Sequence, residues 1–417
     1  MRTVNGGLWR PGLGLLRQAP GFRLLFLATL ASSIGTWLAF VALVVDIWDR
    51  TGDSNWVSAL LIAEFLPIIV IGIAAGRLID RVSRRWILVV SDAVRAGVFF
   101  ALPFATTALQ IVMLAFAAGI ATSLFRPAVY AGLPNLVTDE DLPHANGILQ
   151  TADNLTWTVG ALVGGALVAA TSPDVAYFVN AVSFAVSAFF ILRIRERFEE
   201  ADRAPSRGGW RDLVDGLALA TRSRALLTVL VAWSVVMLAN AGVNVSEVVL
   251  AKEVFDGGDF GYGLLVAATG LGLVIGSLVG GSWIAQRGLT VPYAASIALM
   301  ALGIGAAAVA PNVWVASLVV IAAGAGNGVA VIANALLVQR GAPDRLRGRA
   351  FAVVMSTGYA VLGVGMIAAG PLTNAIGARA VWGISAALTA LGAVLAFLLV
   401  RSVVAERPAA DVATASD

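Results

Sequence analysis

Twelve runs of mainly apolar residues follow one another along the chain, separated by short polar connections. A helix needs about 20 apolar residues to cross the hydrocarbon core of a bilayer, because each residue advances it by about 1.5 Å. Every run reaches that length, and a segment in lipid must satisfy its backbone hydrogen bonds internally. The pattern therefore predicts an all-α integral membrane protein with twelve transmembrane helices. The predicted spans are residues 22–46, 55–76, 86–106, 109–133, 145–170, 174–193, 225–251, 261–285, 290–310, 313–338, 350–371 and 377–400.

Composition excludes several other classes of protein. Only 13% of the 417 residues are charged, whereas soluble proteins average about 25%. There is no cysteine and a single histidine, His144, so neither a thiolate metal site nor a multi-histidine centre is predicted. The net charge of +3 does not indicate a nucleic-acid partner, and no G-x-x-x-x-G-K-S/T motif for ATP binding is present. We expect no enzyme activity, no metal and no cofactor.

The basic residues of the connections predict the orientation. Cytoplasmic connections of membrane proteins are enriched in lysine and arginine. With a cytoplasmic N-terminus, 23 of the 28 basic residues lie inside and three outside, and Arg95 and Arg126 lie within spans. Lys252 is the only lysine, a bias typical of GC-rich bacterial genomes. We expect a multi-pass protein of the bacterial cytoplasmic (inner) membrane with both termini in the cytoplasm.

A polar stretch in the middle of the chain separates two sets of six spans. Its second part has the pattern of an amphipathic helix on the membrane surface, with an ordinary solvated linker helix as the alternative. An offset of 205 residues pairs Gly160 with Gly365 and Gly165 with Gly370. Such internal repeats are typical of transporters built from two related halves with the substrate route between them. The predicted domains are an N-terminal six-helix bundle (1–193), a cytoplasmic linker (194–224), a pseudo-symmetric C-terminal six-helix bundle (225–401) and a disordered cytoplasmic tail (402–417).

The connection after the second span reads GRLIDRVSRR. Its residues Gly76, Asp80, Arg81, Arg84 and Arg85 resemble the G-x-x-x-D-R-x-x-R-R signature of the major facilitator superfamily, which lies in the same connection of that family. The corresponding second-half connection, GSWIAQRG, lacks the aspartate. The resemblance implies the major facilitator fold and a role for these five residues in a cytoplasmic signature loop or gate.

A second stretch indicates one branch of that superfamily. The segment LFRPAVYAGLPNLVTDEDLPHANG, followed by GALVGG, resembles the siderophore (enterobactin) and macrolide exporters. This resemblance implies efflux of a hydrophobic or amphipathic small molecule, a drug or a siderophore, by a monomeric antiporter in contact with membrane lipids and driven by the proton gradient. The matching residues are Phe125, Pro127, Ala128, Leu133, Pro134, Leu136, Val137, Ala145, Asn146, Gly160, Gly164 and Gly165.

Other functions stay open on the residues alone. A facilitator that flips lipids or lysolipids could use the same fold and its glycine-rich helices. A membrane-embedded enzyme or a non-transporting sensor is a candidate from another class. The enzyme would need a metal cluster or converging nucleophile and base, which one histidine and no cysteine do not favour.

Four charged residues lie at similar depth on the third, fourth and fifth spans: Asp92, Arg95, Arg126 and Asp153. Ionisable groups inside a membrane are costly and often functional. Because two acids and two bases sum to zero charge, we expect one paired cluster. Its predicted role is a cytoplasmic gate, and the alternative is a static ion-pair network within the N-terminal bundle.

Glu64 stands in the second span with no basic residue at similar depth in the first half. An intramembrane carboxylate without a counter-ion is a candidate proton carrier or binding group for a cationic substrate; the alternative is a structural, hydrogen-bonded glutamate. Asp46 and Glu247 lie near helix ends and are predicted to be interfacial.

Polar amides and glycines supply the remaining candidates. Asn240, Asn244 and Asn327 lie within spans and are predicted either to hydrogen-bond a substrate or to join helices. In the eighth span, small residues at four-residue spacing predict a close helix crossing. These are Gly272, Gly276 and Gly280.

Overall fold

The computed structural model describes residues 10–79, 82–196, 223–342 and 346–405. Asp80 and Arg81 of the predicted signature loop, most of the predicted linker 194–224 and most of the predicted tail 402–417 lie outside these ranges, and Gly76 lies in a helix.

Within the described ranges the chain forms thirteen α-helices. Ten of them are long and apolar enough to span a membrane, and α2–α13 correspond one to one with the twelve predicted spans, which confirms the predicted all-α membrane fold. The helices are α1 (Arg10–Gln18), α2 (Pro20–Thr51), α3 (Ser54–Ile79), α4 (Arg84–Ala101), α5 (Ala108–Gly132), α6 (Leu142–Ala170), α7 (Pro173–Arg193), α8 (Arg224–Val249), α9 (Gly258–Arg287), α10 (Thr290–Ala308), α11 (Val313–Gly341), α12 (Arg347–Ile376) and α13 (Ala378–Ala405).

Local sequence explains several helix ends. Thr107 and Gln110 form a capping box at the start of α5, so each satisfies a free backbone N–H of the other. The Asn312 side chain accepts from the N–H of Val315 and caps α11. α9 ends at Arg287 and is followed by Gly288, whose φ of 74° is a left-handed conformation that suits glycine.

The structure divides into two compact units, and the first comprises Met1–Asp46 and Leu66–Gly208. In its core, α4 packs against α5 and α7. A buried apolar cluster that includes Phe22, Leu25, Leu88, Phe125 and Ala128 joins α2, α4 and α5. Burial of such side chains stabilises each helix pair through close packing.

The second unit comprises Ile47–Phe65 and Gly209–Asp417. Its helix pairs include α9 with α11, α10 with α13, and α8 with α12 and α13. The predicted close crossing of the eighth span is confirmed: a Cβ at Gly276 would lie 2.0 Å from the carbonyl oxygen of Ala325 on α11. Only a glycine permits this approach of two helix backbones.

Residues 47–65, which the sequence analysis assigned to the N-terminal bundle, lie in the second unit. The Asn374 side chain on α12 donates to Asp53 Oδ1 (2.6 Å) and accepts from the N–H of Ser54 (3.1 Å). The N–H of Asn55 also donates to Asp53. These hydrogen bonds to the carboxylate hold the pKa of Asp53 below its ordinary value.

Lys252 makes a second contact with the segment 47–65. Its ammonium group pairs with Asp49, at the end of α2, and lies 2.5 Å from Asp259 Oδ1, at the start of α9. The single lysine of the chain therefore bridges two carboxylates on two helices.

Replacing Lys252 with methionine is expected to lower the free energy of unfolding by about 1–2 kcal/mol, because a partly buried cation with two carboxylate partners is removed. Thermal unfolding in detergent measures the change. Asp49→Asn should cost less, since Asp49 is 47% exposed and water screens exposed pairs. An equal midpoint for wild type and Lys252→Met at low salt would contradict the bridging role.

Candidate functional site

A triad of polar side chains, Ser33, Arg126 and Asp153, joins three helices of the first unit. Arg126 on α5 donates from Nη2 to Asp153 Oδ2 on α6 at 2.5 Å. Ser33 on α2 donates to the other oxygen, Asp153 Oδ1, at 2.9 Å. The Arg126 side chain is 62% exposed and that of Asp153 only 19%. Both carboxylate oxygens are therefore engaged, whereas the guanidinium group remains open.

Aromatic rings lie one helical turn from the triad. Trp37 follows Ser33 by four residues on α2, and Trp157 follows Asp153 by four on α6, so each ring shares a helix face with the polar side chain. The two indoles stack with centroids 4.8 Å apart and an interplanar angle of 5°. We call Ser33, Trp37, Arg126, Asp153 and Trp157 the α2–α5–α6 site.

Glycines on α6 explain why the indoles meet. A Cβ at Gly160 would lie 2.8 Å from the Cβ of Trp37, and one at Gly164 would lie 2.6 Å from the carbonyl oxygen of Leu38. Small residues at four-residue spacing let α6 approach the backbone of α2. Because Trp157 precedes Gly160 by less than one turn, this crossing brings its ring onto Trp37.

The other predicted charge pair has a different environment. Asp92 and Arg95, three residues apart on α4, form a buried ion pair. The Arg95 guanidinium carbon lies 4.2 Å from the ring centroids of both Phe125 and Phe184, a double cation–π contact. The four residues predicted as one cluster thus form two separate pairs. One is enclosed between aromatic rings, and the other, Arg126 with Asp153, is open.

The second unit contains a group of acidic and phenolic side chains. Glu64 on α3 is half-buried, and Glu247 on α8 is 8% exposed. Tyr262 on α9 is buried and interacts electrostatically with both carboxyl groups. Within the described residues neither carboxyl group has a cationic partner or a hydrogen bond.

Glu247, which the sequence analysis predicted to be interfacial because it lies near a helix end, is buried among the side chains of the second unit. A signal for this was present: Asn240, Asn244 and Glu247 are spaced by four and three residues and so share one face of α8. Asn240, Asn244 and Asn327 are half-buried, and their amide groups have no hydrogen-bond partner in the described part of the chain. These amides remain available to a bound molecule.

Two arginines of the predicted signature loop fasten helix ends. Arg84 Nη1 donates to the carbonyl oxygen of Ala131 (2.8 Å) and to Asn135 Oδ1 (3.2 Å), and Arg85 donates to the carbonyl oxygen of Leu192. The start of α4 is therefore tied to the ends of α5 and α7. Across the four described ranges, no three histidine, aspartate or glutamate residues are placed to hold a metal ion.

Comparisons with known proteins show what the chain as a whole is similar to. The family model described as "Transmembrane secretion effector" matches residues 12–415. The multidrug efflux pump Tap of Mycolicibacterium fortuitum is 27% identical over 92% of this chain and 96% of its own length. The putative bacilysin exporter BacE of Bacillus subtilis is 26% identical over 80% and 84%.

Solved structures share the fold at low identity. The nucleoside transporter NupG (D323A mutant) superposes with a TM-score of 0.76 at 13% identity, over 91% of this chain and 99% of its own. A POT family transporter in complex with a thioalcohol-conjugated peptide has a TM-score of 0.76 at 14% identity, over 92% and 96%.

Proposed function

The chain belongs to the transmembrane secretion effector family of the major facilitator superfamily, and we propose that it exports a hydrophobic or amphipathic small molecule in exchange for protons. As a member of this family it is a multi-pass membrane transporter and not an enzyme. The relatives Tap and BacE, named as an efflux pump and an exporter, support the direction of transport. Drug and siderophore are both within the proposed substrate class.

The proposal depends most on Glu64. This residue lies ten positions after the start of α3 at Ser54, about 15 Å along the helix axis. An ionised carboxylate in a span is costly, and the described residues provide it with no counter-ion. Binding of a proton offsets that cost, and release on the opposite side of the membrane couples the proton gradient to transport.

The remaining groups have proposed roles in the same cycle. The distribution of 23 inside against three outside basic residues supports a cytoplasmic position for both termini. The proposed protein works in the inner membrane as a monomer without a cofactor. Arg126 and Asp153 come from different helices, so this pair can open and close as a gate. Asn240, Asn244 and Asn327 offer hydrogen bonds to the substrate.

Replacing Glu64 with glutamine is expected to reduce transport driven by a pH gradient at least about tenfold, because the amide cannot exchange a proton. Proteoliposomes loaded with the pH indicator pyranine report proton flux when the uncharged hydrophobic dye Nile red is added. Binding of Nile red to the purified variant should stay measurable.

The matched control is Glu253→Gln, the same substitution at an exposed position, which should transport like wild type. Unchanged proton flux in Glu64→Gln would remove Glu64 from the proposal. If wild-type proteoliposomes instead moved short-chain lysolipids and no dye, the protein would be a lipid flipping facilitator.

A further inference from the structure

We propose that the α2–α5–α6 site binds the transported molecule and selects a planar aromatic compound that carries an acidic group. This inference rests on the proposed export function and names its substrate class. It assigns a binding role to Trp37 and Trp157 and gives Arg126 a ligand beyond Asp153.

The position of Arg126 within its helix indicates that water reaches its side chain. Arg126 lies six residues before the end of α5 at Gly132, about 9 Å along the helix. A charged side chain that is 62% exposed at this depth is strongly disfavoured against lipid tails. Because an arginine this far inside a span avoids lipid tails, we take the exposed face of Arg126, and the site around it, to line a water-filled path through which a solute can arrive.

Hydrogen-bonding capacity indicates an acidic ligand. Asp153 accepts from Ser33 on one oxygen and from Arg126 on the other. A guanidinium group has five N–H donors in a planar fork that suits carboxylate and sulfonate oxygens. Only one of them is used within the described residues. Four of its N–H donors are unused there, against about two free acceptor sites on Asp153, so the site favours an anionic ligand over a cationic one.

The aromatic rings indicate the rest of the ligand. Trp37 and Trp157 are half-buried, so part of each indole surface stays exposed one helical turn from Ser33 and Asp153, the partners of the triad. Tyr130, one turn from Arg126 on α5, is 39% exposed and interacts electrostatically with Arg126 and Asp153. Flat aromatic surfaces favour stacking or edge contacts with another ring. The site thus combines an aromatic surface with an anion-binding group.

Three small-molecule probes separate these two features. 1-Pyrenebutyrate has the ring and the acid, its methyl ester has the ring alone, and cyclohexanebutyrate has the acid alone. Equilibrium dialysis against the purified full-length protein in a neutral detergent, with empty micelles subtracted, measures each affinity. We expect the acid to bind about tenfold more tightly than its ester, because charge-assisted hydrogen bonds replace a neutral contact. Cyclohexanebutyrate should bind more weakly than both.

Variants then locate the site. Arg126→Gln should remove the preference for acid over ester and leave the ester affinity within about twofold, whereas Arg126→Lys should keep part of the preference. Trp157→Leu should weaken both pyrene probes. The control Arg287→Gln, at an exposed arginine of the second unit, should behave as wild type.

Equal wild-type affinities for acid and ester would overturn the inference without any variant. An unchanged preference in Arg126→Gln would also overturn it, as would complete displacement of the acid by phosphatidylglycerol, since Arg126 would then bind a lipid phosphate. The dialysis assay uses no proton gradient, so a negative result there does not affect the proposed proton-coupled export, which Glu64→Gln tests. A negative result with Glu64→Gln likewise does not affect the proposed binding site.

Discussion

Replacing Arg95 with methionine is expected to lower the free energy of unfolding by about 3–5 kcal/mol, because the change leaves the buried Asp92 carboxylate without its cation. Asp92 and Arg95 are both shielded from solvent, and the guanidinium group is enclosed by Phe125 and Phe184. Methionine preserves most of the apolar volume, so the loss reports the charge rather than a cavity. Unfolding in mixed micelles of a neutral detergent and sodium dodecyl sulfate measures it.

Arg126→Met is the matched control, since it removes the same charge from the open pair. Arg126 is 62% exposed, and solvent-exposed ion pairs contribute at most about 1 kcal/mol. The double variant Asp92→Leu/Arg95→Met should recover most of the stability lost by Arg95→Met, because no unpaired charge remains buried. Equal losses for Arg95→Met and Arg126→Met would contradict the division into an enclosed and an open pair.

The helices themselves were predictable because membrane physics constrains them tightly. The run 145–170 and helix α6 (Leu142–Ala170) differ by three residues at one end. Other helices extend beyond the predicted run, as α2 does from Pro20 to Thr51. A run of apolar residues marks only the part of a helix that lies in hydrocarbon.

The charged residues of the site could be predicted from the sequence, but the partner of each charged residue could not. A charge within an apolar run is visible in the sequence, and Asp92, Arg95, Arg126 and Asp153 were all found that way. Their partners depend on the rotation of each helix about its axis. The apolar pattern does not specify that rotation for helices that are apolar on all sides.

The tryptophan stack was missed for a related reason. Trp37 and Trp157 are far apart in sequence and lie on helices that the glycines of α6 allow to approach closely. A signal was nevertheless present, because Ser33 with Trp37 and Asp153 with Trp157 repeat the same polar–aromatic pair at a spacing of four residues. A repeated pair of this kind on two helices is worth testing in other membrane sequences.

Replacing Gly276 with leucine is expected to cost about 3 kcal/mol or more and to reduce the yield of folded protein sharply, because a side chain there overpacks a helix crossing. The Cβ alone would lie 2.0 Å from the carbonyl oxygen of Ala325, and a Cβ at the neighbouring Gly272 would lie 2.1 Å from that of Ile321. The contacts are reciprocal, since a Cβ at Gly328 on α11 would lie 2.4 Å from the carbonyl oxygen of Leu273. Only movement of one helix backbone away from the other would relieve such overlaps.

The same helix offers a matched control in Gly281, where a Cβ would meet no atom within 4 Å. Gly281→Leu should keep the wild-type unfolding midpoint or raise it slightly, because leucine favours the helix over glycine by about 0.5–1 kcal/mol. Size-exclusion chromatography and thermal unfolding in detergent distinguish the two variants. Equal yields and midpoints for Gly276→Leu and Gly281→Leu would show that α9 and α11 can separate freely, and the crossing would then be a sliding contact rather than a fixed one.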